Sequence, residues 1–445
     1  MTLPRKLALD YYVGGLLHVL LKLPTLLLGR LMRRDHNLSD CSSVTFVKML
    51  GGGSLVIAYP SLIALRNCPR IQTLRLVTTP AIRPFAEILG IFDEIIVIRE
   101  TSLVTLAGDS IRAIWKLFRC DAIVDLEVHS RLSTVLSLLT CARNRVGFYT
   151  SVAFWRKGLS THLIFCNLSN GIHYFYDQIA SLFGGVTPHI DTFREAFTSQ
   201  LPEPAERVLS GANRIAIAPC CSDLGKERQL TAAEWLAILR GRLRIGQLDR
   251  STEIYLMGAP SDSNFLSALA DLISEGLPAV KTHNLAGRST LAESVARLRQ
   301  MNLLFCIDSA MLHFGRLIGV TTISYWGPTD PATRLRPGMV PGEEVFYRRT
   351  PCSPCVHVAE SPPCNGASVC MRSVAAIAEP VAVLNPIWLV GVGDIRSAKA
   401  AKTAAHGPAV KVHQLLVDGG DSLFALDRAV QSTDRRNTDK LLKPS

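Results

Sequence analysis

Residues that could bind a phosphate group lie close together in the second half of the chain. The apolar run 303–308 (LLFCID) ends in Asp308, and Ser309 opens a segment of helical character. A helix beginning at Ser309 would direct unpaired backbone N–H groups and the positive end of its dipole toward a bound anion. His313 lies about one turn inside this helix and could reach the same anion. Asp308 could instead only cap the helix, and His313 could be an ordinary half-buried histidine.

A tight turn would form the neighbouring wall of this site. The predicted strand 321–326 ends in Gly327-Pro328-Thr329-Asp330-Pro331, a sequence typical of turns. In open α/β sheets, ligands bind at the carboxyl ends of the strands. Two strand ends that carry polar groups therefore predict an anion site at this edge of a sheet.

Alternating strands and helices must position these groups. Short apolar runs alternate with amphipathic stretches from residue 44 onward, which predicts parallel βαβ units with helices on both sheet faces. The predicted strands are 44–50, 74–78, 94–98, 122–128, 214–219, 253–258, 303–308 and 321–326.

Residues 188–213 are richer in Pro, Thr, Glu and Ser and are interpreted as a connection. We therefore expect an α/β protein with two Rossmann-like domains, 41–200 and 211–385, that face each other across a cleft. An N-terminal segment, 1–40, precedes them, and a weakly ordered tail, 386–445, follows. Neither domain carries a GxGxxG after its first strand, which argues against a nicotinamide or flavin dinucleotide site.

The composition excludes some classes of function. The chain has 445 residues, of which 48% are hydrophobic and 19% charged, so most of it is not intrinsically disordered. The net charge of +11 favours an anionic partner such as nucleic acid, acidic lipid or a phosphate-bearing substrate. Because the basic residues are dispersed and not interleaved with aromatic residues, we expect no nucleic-acid partner.

The first predicted helix is apolar and has basic residues on both sides. Residues 7–32 are interrupted by Asp10, His18, Lys22 and Pro24, so no run reaches the roughly 20 apolar residues that a spanning helix needs. We expect an amphipathic helix in the headgroup region, on a cytoplasmic protein that is peripheral at the inner face of the cytoplasmic membrane. Packing on the protein's own core or on a second subunit is the alternative. No cleavable signal peptide is expected.

The stretch 284–331 resembles the signature of glycosyltransferase family 9, the heptosyltransferase-like enzymes that build lipopolysaccharide and related glycans. That signature runs N-L-x-G-x-x-x-L, D-S-G-x-x-H and G-x-T-x-P. The matching residues are Asn284-Leu285-Ala286-Gly287 with Leu291, Asp308-Ser309-Ala310 with His313, and Gly327 to Pro331. The resemblance spans about residues 44–375 and implies the GT-B fold, in which two Rossmann-like domains face a cleft.

The resemblance implies a nucleotide-sugar site in the second half. Ser309, Ala310 and His313 would hold the donor's diphosphate, and Asp308 would bind the sugar or orient this loop. Ala310 replaces the family's glycine and would narrow the approach of the backbone to the phosphate.

Three further residues take donor roles in the resemblance. Asp262, after the predicted strand 253–258, would hold the ribose, where the family usually has Glu. Arg228 or Lys226 would neutralise the departing diphosphate, and Arg228 fits the family spacing better. For both basic residues, a solvated loop charge is the alternative.

The first half resembles the family at the turn after its first strand. Lys48, Gly52 and Gly53 lie on the acceptor side, where the glycines would let backbone donors approach an acceptor phosphate or sugar closely. The family's Asp, which deprotonates the acceptor hydroxyl, is replaced by Ser54. A serine hydroxyl accepts no proton near neutral pH without its own activating partner, so this replacement puts activity in question.

Another carboxylate could take the place of that Asp. Period-two geometry puts Asp125 and Glu127 on one face of the predicted strand 122–128, with Glu127 near its carboxyl end. We predict Glu127 as the general base, with Asp125 and His129 as the next candidates. An ion pair between Glu127 and Arg131 is the alternative.

Four cysteines cluster late in the chain. Cys352, Cys355, Cys364 and Cys370 form a C-x2-C and a C-x5-C pair in a Pro-rich and Gly-containing stretch. Structural zinc, a disulfide and reduced thiols all remain open, and the resemblance implies a structural role. We expect no cofactor and no catalytic metal, because no Asp-x-Asp pair would hold an ion beside the phosphates.

The resemblance implies an inverting, metal-independent glycosyltransferase. It would move a sugar, heptose being the family's best-known choice, from a nucleotide-sugar donor to a lipopolysaccharide or other surface-glycan acceptor. The alternative is a non-catalytic relative that binds a nucleotide sugar or glycan and assists assembly, and Ser54 supports it. A nucleotide-sugar epimerase or hydrolase on the same scaffold is a third hypothesis.

Overall fold

The computed structural model of the chain describes most of the first 374 residues. These are residues 2–32, 35–151, 153–204, 213–246, 248–249, 251–356, 362, 364 and 367–374. The predicted tail 386–445 lies outside the described residues.

Six parallel strands form the first sheet, in the order β3-β2-β1-β4-β5-β6. These strands are β1 Ser43–Lys48, β2 Thr73–Thr78, β3 Glu94–Val97, β4 Ala122–Asp125, β5 Asn144–Tyr149 and β6 His162–Phe165. The chain order reverses between β1 and β4, which are neighbours with Val47 opposite Asp125. A crevice for a ligand opens at such a reversal point, beyond the carboxyl ends of the strands.

The second sheet repeats this arrangement, in the order β12-β11-β10-β7-β8-β9. All its pairs are parallel. Its strands are β7 Arg214–Ala218, β8 Glu253–Leu256, β9 Lys281–Asn284, β10 Leu303–Ile307, β11 Thr321–Trp326 and β12 Glu344–Tyr347. Counted within each half, both sheets have the doubly wound order 3-2-1-4-5-6, so β7 and β10 flank the second reversal point.

Helices connect the strands of both sheets. In the first half they are α1 Leu3–Leu9, α2 Gly15–Met32, α3 Gly52–Ile57, α4 Tyr59–Arg66, α5 Arg83–Leu89, α6 Leu103–Lys116, α7 Arg131–Leu139, α8 Ile172–Leu182 and α9 Ile190–Thr198. Beyond these they are α10 Ala232–Arg244, α11 Ser263–Gly276, α12 Leu291–Leu298, α13 Ala310–Ile318 and α14 Val369–Val374. Short 3₁₀ turns lie at Phe154–Arg156, Asp223–Arg228, Pro260–Asp262 and Pro331–Thr333.

The predicted α/β class with two Rossmann-like sheets is confirmed, although individual elements differ. All eight predicted strands are present, whereas β5, β6, β9 and β12 were not predicted. The prediction that one strand continues to Val128 is wrong, because β4 ends at Asp125. Thr290 caps the helix α12 in a reciprocal pair with Glu293.

One apolar core contains residues from both halves, including Phe46 of β1 and Leu304 of β10. An aromatic stack crosses the junction: the ring of Phe314 in α13 lies 6.0 Å from that of Phe85 in α5 and 6.0 Å from that of Phe197 in α9. Both Phe197 and Phe314 are fully buried. Offset aromatic pairs of this kind add about 0.5–1.5 kcal/mol beyond the area they bury, so this stack fixes α13 against the first half.

The N-terminal helices are joined by a π-helical turn, Asp10–Gly14, and the whole of Leu3–Leu31 is long and apolar enough to cross a membrane. The interruptions predicted from the sequence do not break it, since the helix continues through Pro24. Most of its large apolar side chains are exposed, so packing on the protein's own core is not what the structure shows. The exposed residues are Leu7, Tyr11, Tyr12, Val13, Leu16, Val19, Leu20, Leu23, Leu26, Leu27, Leu28 and Leu31.

One carboxylate attaches this helix to the first half. Asp10 Oδ1 accepts hydrogen bonds from Ser130 Oγ at 2.7 Å and Leu132 N at 2.9 Å, and its Oδ2 accepts one from Arg131 N at 3.0 Å. These donors lie at the amino-terminal end of α7, where a negative charge is favourable. Asp10, which the sequence suggested as an interruption, is therefore an attachment point.

Candidate functional site

The glycine turn after β1 and the Asp308 loop after β10 meet at the junction between the halves. A Cβ atom placed on Gly53 of α3 would lie 3.3 Å from His313 Cδ2 and 3.4 Å from Ala310 Cα. The amino-terminal ends of α3 and α13 therefore face each other at close range. Both helices follow strands that flank a reversal point, β1 in the first sheet and β10 in the second. The site thus lies where the fold provides a crevice in each sheet.

Asp308 is a buried carboxylate with a cationic partner. Arg228 Nη1 donates to Asp308 Oδ2 at 2.9 Å and to the Asp308 backbone oxygen at 3.0 Å. His313 Nε2 lies 3.8 Å from Asp308 Oδ1. Burial alone would raise the pKa of Asp308, but the Arg228 guanidinium and His313 hold it well below its usual range. Asp308 is therefore ionised, and Arg228 orients the strand end that precedes α13.

The start of α13 has the features of an anion site. Ser309 occupies the N-cap position in an extended conformation, but its side chain forms no cap hydrogen bond. Its buried Oγ has no hydrogen-bond partner among the residues that the structure describes. Burial lowers the pKa of His313, so its imidazole is neutral near pH 7 and can donate one hydrogen bond. An unused hydroxyl, free helix N–H groups and a neutral imidazole can together bind phosphate oxygens.

The two other predicted donor residues have local contacts. Asp262 Oδ2 accepts a hydrogen bond from Ala259 N at 2.9 Å, at the carboxyl end of β8. Lys226 is exposed on the 3₁₀ turn that precedes Arg228. Of the two basic candidates, the structure brings Arg228 to the Asp308 loop, as the family spacing favoured. The ribose role of Asp262 stays a prediction.

Ser54 does not supply a base. Its Oγ donates to the Gly51 backbone oxygen at 2.7 Å, across a turn in which Gly51 has a φ of 74°. Its side chain also interacts with Tyr176, whose pKa burial raises well above the usual range. Neither hydroxyl can accept a proton near neutral pH. The base that the family's Asp would provide at this position is therefore absent from the Ser54 side chain and from its neighbour Tyr176.

Glu127 holds the turn after β1. Its Oε1 accepts hydrogen bonds from Lys48 Nζ at 3.0 Å, Met49 N at 2.7 Å and Leu50 N at 2.9 Å. No residue in the described part of the chain donates to Oε2. Lys48, predicted on the acceptor side, is itself buried in this pair. Glu127 thus has one anchored oxygen and one that could act on a substrate.

The alternative ion pair between Glu127 and Arg131 is not formed. The Arg131 guanidinium donates to the Tyr11 backbone oxygen at 2.8 Å and lies over the rings of Tyr11 and Trp155, at 4.5 Å and 5.0 Å. Arg131 therefore belongs to the attachment of the N-terminal helix. The cation that pairs with Glu127 is Lys48 instead, because the sheet order brings β1 beside the end of β4.

Asp125 and His129, the other base candidates, lie in different surroundings. Asp125 Oδ2 is buried and accepts from Arg156 Nη2 at 2.9 Å and Ser133 Oγ at 2.8 Å. Asp125 is thus enclosed by partners from the protein. His129 lies on the loop after β4, and desolvation together with the charge of Arg156 lowers its pKa. A common strand face for Asp125 and Glu127 is not observed, since β4 ends at Asp125.

Sequence reasoning missed an ion pair that joins the halves. Arg336 Nη1 and Nη2 donate to Asp177 Oδ2 at 2.8 Å and Oδ1 at 2.9 Å, a bidentate contact between the segment after β11 and α8. Ser61 and Thr187 also donate to Asp177. No spacing rule links these distant residues. Arg336 lies five residues after the Gly327–Pro331 turn, and this closeness to a predicted site loop was the one feature of the sequence that pointed to it.

The cysteines are free thiols throughout, including the predicted cluster of Cys352, Cys355, Cys364 and Cys370. Within the described ranges, no group of three or more His, Cys, Asp or Glu side chains is arranged to hold a metal ion. Cys364 Sγ accepts a hydrogen bond from Ser368 N at 3.2 Å. The structural role of this cluster stays a prediction.

Comparison with known proteins supports the family resemblance that the sequence predicted. The model of glycosyltransferase family 9 (heptosyltransferase) matches residues 195–364, which include the whole Asp308 loop and the Gly327–Pro331 turn. Over this stretch the chain resembles glycosyltransferase family 9. The resemblance predicted from the sequence is confirmed, and it supports glycosyl transfer as the reaction class. No curated protein matches the sequence.

Solved structures of family 9 share the fold. A glycosyl transferase family 9 protein from Veillonella parvula has a TM-score of 0.53 at 15% identity, over 70% of this chain and 87% of that one. ADP-heptose LPS heptosyltransferase II from E. coli has a TM-score of 0.53 at 14% identity, over 75% of this chain and 96% of that one. E. coli heptosyltransferase WaaC with ADP has a TM-score of 0.51 at 16% identity, over 68% of this chain and 92% of that one. At such identities the likeness establishes the GT-B fold alone.

A histidine at the junction predicts a pH-dependent stability. His173 in α8 is buried, and neither ring nitrogen has a partner among the described residues. Burial, helped by the charge of Arg336, lowers its pKa to about 3. The unfolded chain binds a proton below about pH 6.5 whereas the folded chain does not, so stability should fall as the pH drops from 6.5 toward 3, by up to about 1.4 kcal/mol per unit from this group.

Urea unfolding at pH 6.5 and pH 5 would measure this contribution. In the variant His173→Phe, the loss of unfolding free energy between the two pH values should be about 1–2 kcal/mol smaller than in the wild type. The exposed residue His189 provides the control His189→Phe, which should keep the wild-type dependence. Parallel profiles for the wild type and His173→Phe would contradict the assignment.

Proposed function

We propose that this protein is an inverting glycosyltransferase that moves a sugar such as heptose from a nucleotide-sugar donor to a lipopolysaccharide or other surface-glycan acceptor. The observation that carries the proposal is the start of α13. There an unpartnered Ser309 Oγ and the free N–H groups of the helix lie beside the Arg228–Asp308 pair, directly opposite the glycine turn of the first half.

The donor's diphosphate would bind at this helix end. Ser309 Oγ, the backbone N–H of Ala310 and the neutral imidazole of His313 would donate to its oxygens. Arg228 would hold Asp308 toward the sugar, and Asp262 would bind the ribose. WaaC of E. coli has been solved with ADP and with ADP-2-deoxy-2-fluoro heptose, which supports an adenosine diphosphate sugar as the first donor to test.

The transfer would be a single displacement at the anomeric carbon. The acceptor oxygen forms its bond to that carbon as the bond to the diphosphate oxygen breaks, and the electron pair leaves with the nucleoside diphosphate. Glu127 Oε2 takes the acceptor proton, while Lys48 and two backbone N–H groups hold Oε1 in place. The helix end and the chain's own cations stabilise the leaving group, so this route requires no metal and no cofactor.

A second candidate function rests on Ser54. Because this hydroxyl and its neighbour Tyr176 cannot accept a proton, a non-catalytic relative would still bind the nucleotide sugar and the glycan, and would assist assembly. The two functions differ in whether nucleotide release depends on the acceptor.

We also propose peripheral membrane association on the cytoplasmic side. The exposed apolar surface of α1 and α2 supports it, and α6 adds a second exposed apolar stripe. Lys6 of α1 pairs with Glu100 just before α6. Trp115 is 76% exposed, next to the exposed cations Arg112 and Lys116. The stripe of exposed apolar residues consists of Leu103, Val104, Ile111, Trp115 and Phe118. Apolar area next to basic side chains is typical of a helix that lies in an anionic headgroup region.

Replacement of Glu127 tests the catalytic role. Gln keeps an oxygen for the two N–H groups of the turn but cannot take a proton, so Glu127→Gln should lower kcat by about 10²–10⁴-fold. The measurement is nucleotide release from a panel of nucleotide sugars, with and without a lipopolysaccharide-core acceptor. The exposed residue Glu275 offers the control Glu275→Gln, which should leave kcat unchanged.

The possible results of this assay separate the two functions. Acceptor-dependent release that Glu127→Gln does not slow, in a folded protein, removes Glu127 from the mechanism. Binding of a nucleotide sugar without any acceptor-dependent release by the wild type supports the non-catalytic relative instead.

A vesicle-binding measurement tests the membrane proposal. The double change Leu20→Asp and Leu27→Asp places two carboxylates on the exposed face of α2 and should weaken binding to phosphatidylglycerol vesicles by about tenfold or more, because it removes apolar burial and adds repulsion. The control Val186→Asp alters an exposed apolar residue outside these helices. Equal sedimentation of wild type and double variant with the vesicles would exclude the helix as the contact.

A further inference from the structure

Arg228, the cation to which the family spacing gives the phosphate role, is already paired with a carboxylate. Arg228 lies 2.9 Å from the Asp308 carboxylate, and both side chains are largely buried. Their charges therefore compensate each other before any ligand arrives. In the proposed reaction the leaving diphosphate gains negative charge, which the N–H groups at the start of α13 can stabilise in part. A cation without a carboxylate partner would add to this stabilisation.

Arg334 occupies a segment that bridges the two halves. It follows the 3₁₀ turn Pro331–Thr333 at the carboxyl end of β11, and its backbone N–H bonds to the Pro331 oxygen at 3.0 Å. The next residue, Leu335, is fully buried, and Arg336 forms the bidentate pair with Asp177 of the first half. The backbone around Arg334 is therefore held on both sides.

The Arg334 side chain is partly buried and unpaired. Its guanidinium has no hydrogen-bond or ion-pair partner among the residues that the structure describes. By contrast, the arginines near it in the junction are occupied, Arg228 by Asp308, Arg316 by Glu343 and Arg336 by Asp177. A half-buried guanidinium with five unused donors favours a ligand with several acceptor oxygens.

The charge of Arg334 reaches groups of both halves. At Asp308, burial is opposed by Arg228, His313 and Arg334, and the pKa of the carboxyl is lowered. In the first half, burial raises the pKa of Cys166 and Tyr176, and the Arg334 charge opposes the rise in both. Tyr176 of α8 contacts Ser54, which lies in α3. Together with its backbone position between the Pro331–Thr333 turn and the Arg336–Asp177 pair, this places the charge of Arg334 at the junction of the two halves.

We propose that Arg334 binds the donor's diphosphate and neutralises the nucleoside diphosphate as it leaves. This inference rests on the proposed function and assigns to Arg334 the role that the family spacing gave to Arg228. As the bond between the anomeric carbon and the diphosphate oxygen breaks, its electron pair stays on that oxygen, and an Arg334 N–H donates to it. The acceptor proton goes to Glu127. Arg228 is then a positioning residue that orients Asp308.

Calorimetry with ADP and with inorganic pyrophosphate tests this proposal. A charge-assisted contact to phosphate predicts that Arg334→Gln weakens both ligands by about 10- to 100-fold. Adenosine, which lacks phosphate, should bind the variant and the wild type equally. Arg334→Lys keeps a positive charge and should recover part of the loss. The exposed Arg244 at the end of α10 supplies the control Arg244→Gln, which lowers the net charge equally and should leave ADP affinity unchanged.

Contrary results point to different failures. If wild type binds ADP and Arg334→Gln binds it equally, the proposal is overturned; unchanged ADP affinity with a raised acceptor KM would place Arg334 on the acceptor instead. If the wild type binds none of ADP, UDP, GDP and CDP, the proposed function itself fails. Circular dichroism checks the fold of each variant, and because Arg334 forms no ion pair with any residue that the structure describes, we expect Arg334→Gln to fold.

Discussion

The close contact between the start of α13 and the glycine turn of the first half is the constraint on which the rest of the site depends. Even a Cβ atom at Gly53 would crowd Ala310 and His313. The Phe85–Phe314–Phe197 stack holds the same helix from its apolar side. Because α13 is fixed in this way, its unpaired N–H groups and the Ser309 hydroxyl are oriented before a ligand binds. Such pre-organisation is how electrostatic stabilisation becomes effective in a transferase.

Most charges near this contact are used to build it. Four carboxylates at the strand ends and in α8 each have a cation: Asp308 has Arg228, Glu127 has Lys48, Asp125 has Arg156 and Asp177 has Arg336. Breaking a buried pair of this kind by removing one partner typically costs about 3–5 kcal/mol. The groups left over, Ser309 Oγ, Glu127 Oε2 and the Arg334 guanidinium, are those available to a substrate. The paired charges thus stabilise the fold, and these three groups are left for the proposed chemistry.

The sequence predicted the second half better than the first, for physical reasons. The run before Asp308 forms a strand buried on both faces, so it is continuously apolar, and the helix after it carries the family's spacing. β9 (KTHN) shows why other elements were missed, since a polar edge strand lacks the hydrophobic pattern that identifies a strand. The end of β4 at Asp125 was likewise hidden by the apolar residues that follow it.

Pairings between distant residues were beyond sequence reasoning. Glu127 meets Lys48 because β4 lies beside β1, and only the sheet order shows this. The unpaired state of Arg334 depends on which carboxylates lie near it in space, and no local motif records that. The family signature located the Asp308 loop, for which we propose phosphate binding, whereas the identity of the free cation and the free carboxylate oxygen required the three-dimensional arrangement.

A crystal structure of the protein with ADP bound would test the proposed donor site most directly. We expect diphosphate density within hydrogen-bond distance of Ser309 Oγ and the Ala310 backbone nitrogen, at the junction of the two halves. Diphosphate density elsewhere, with the start of α13 still closed against Gly53, would contradict it.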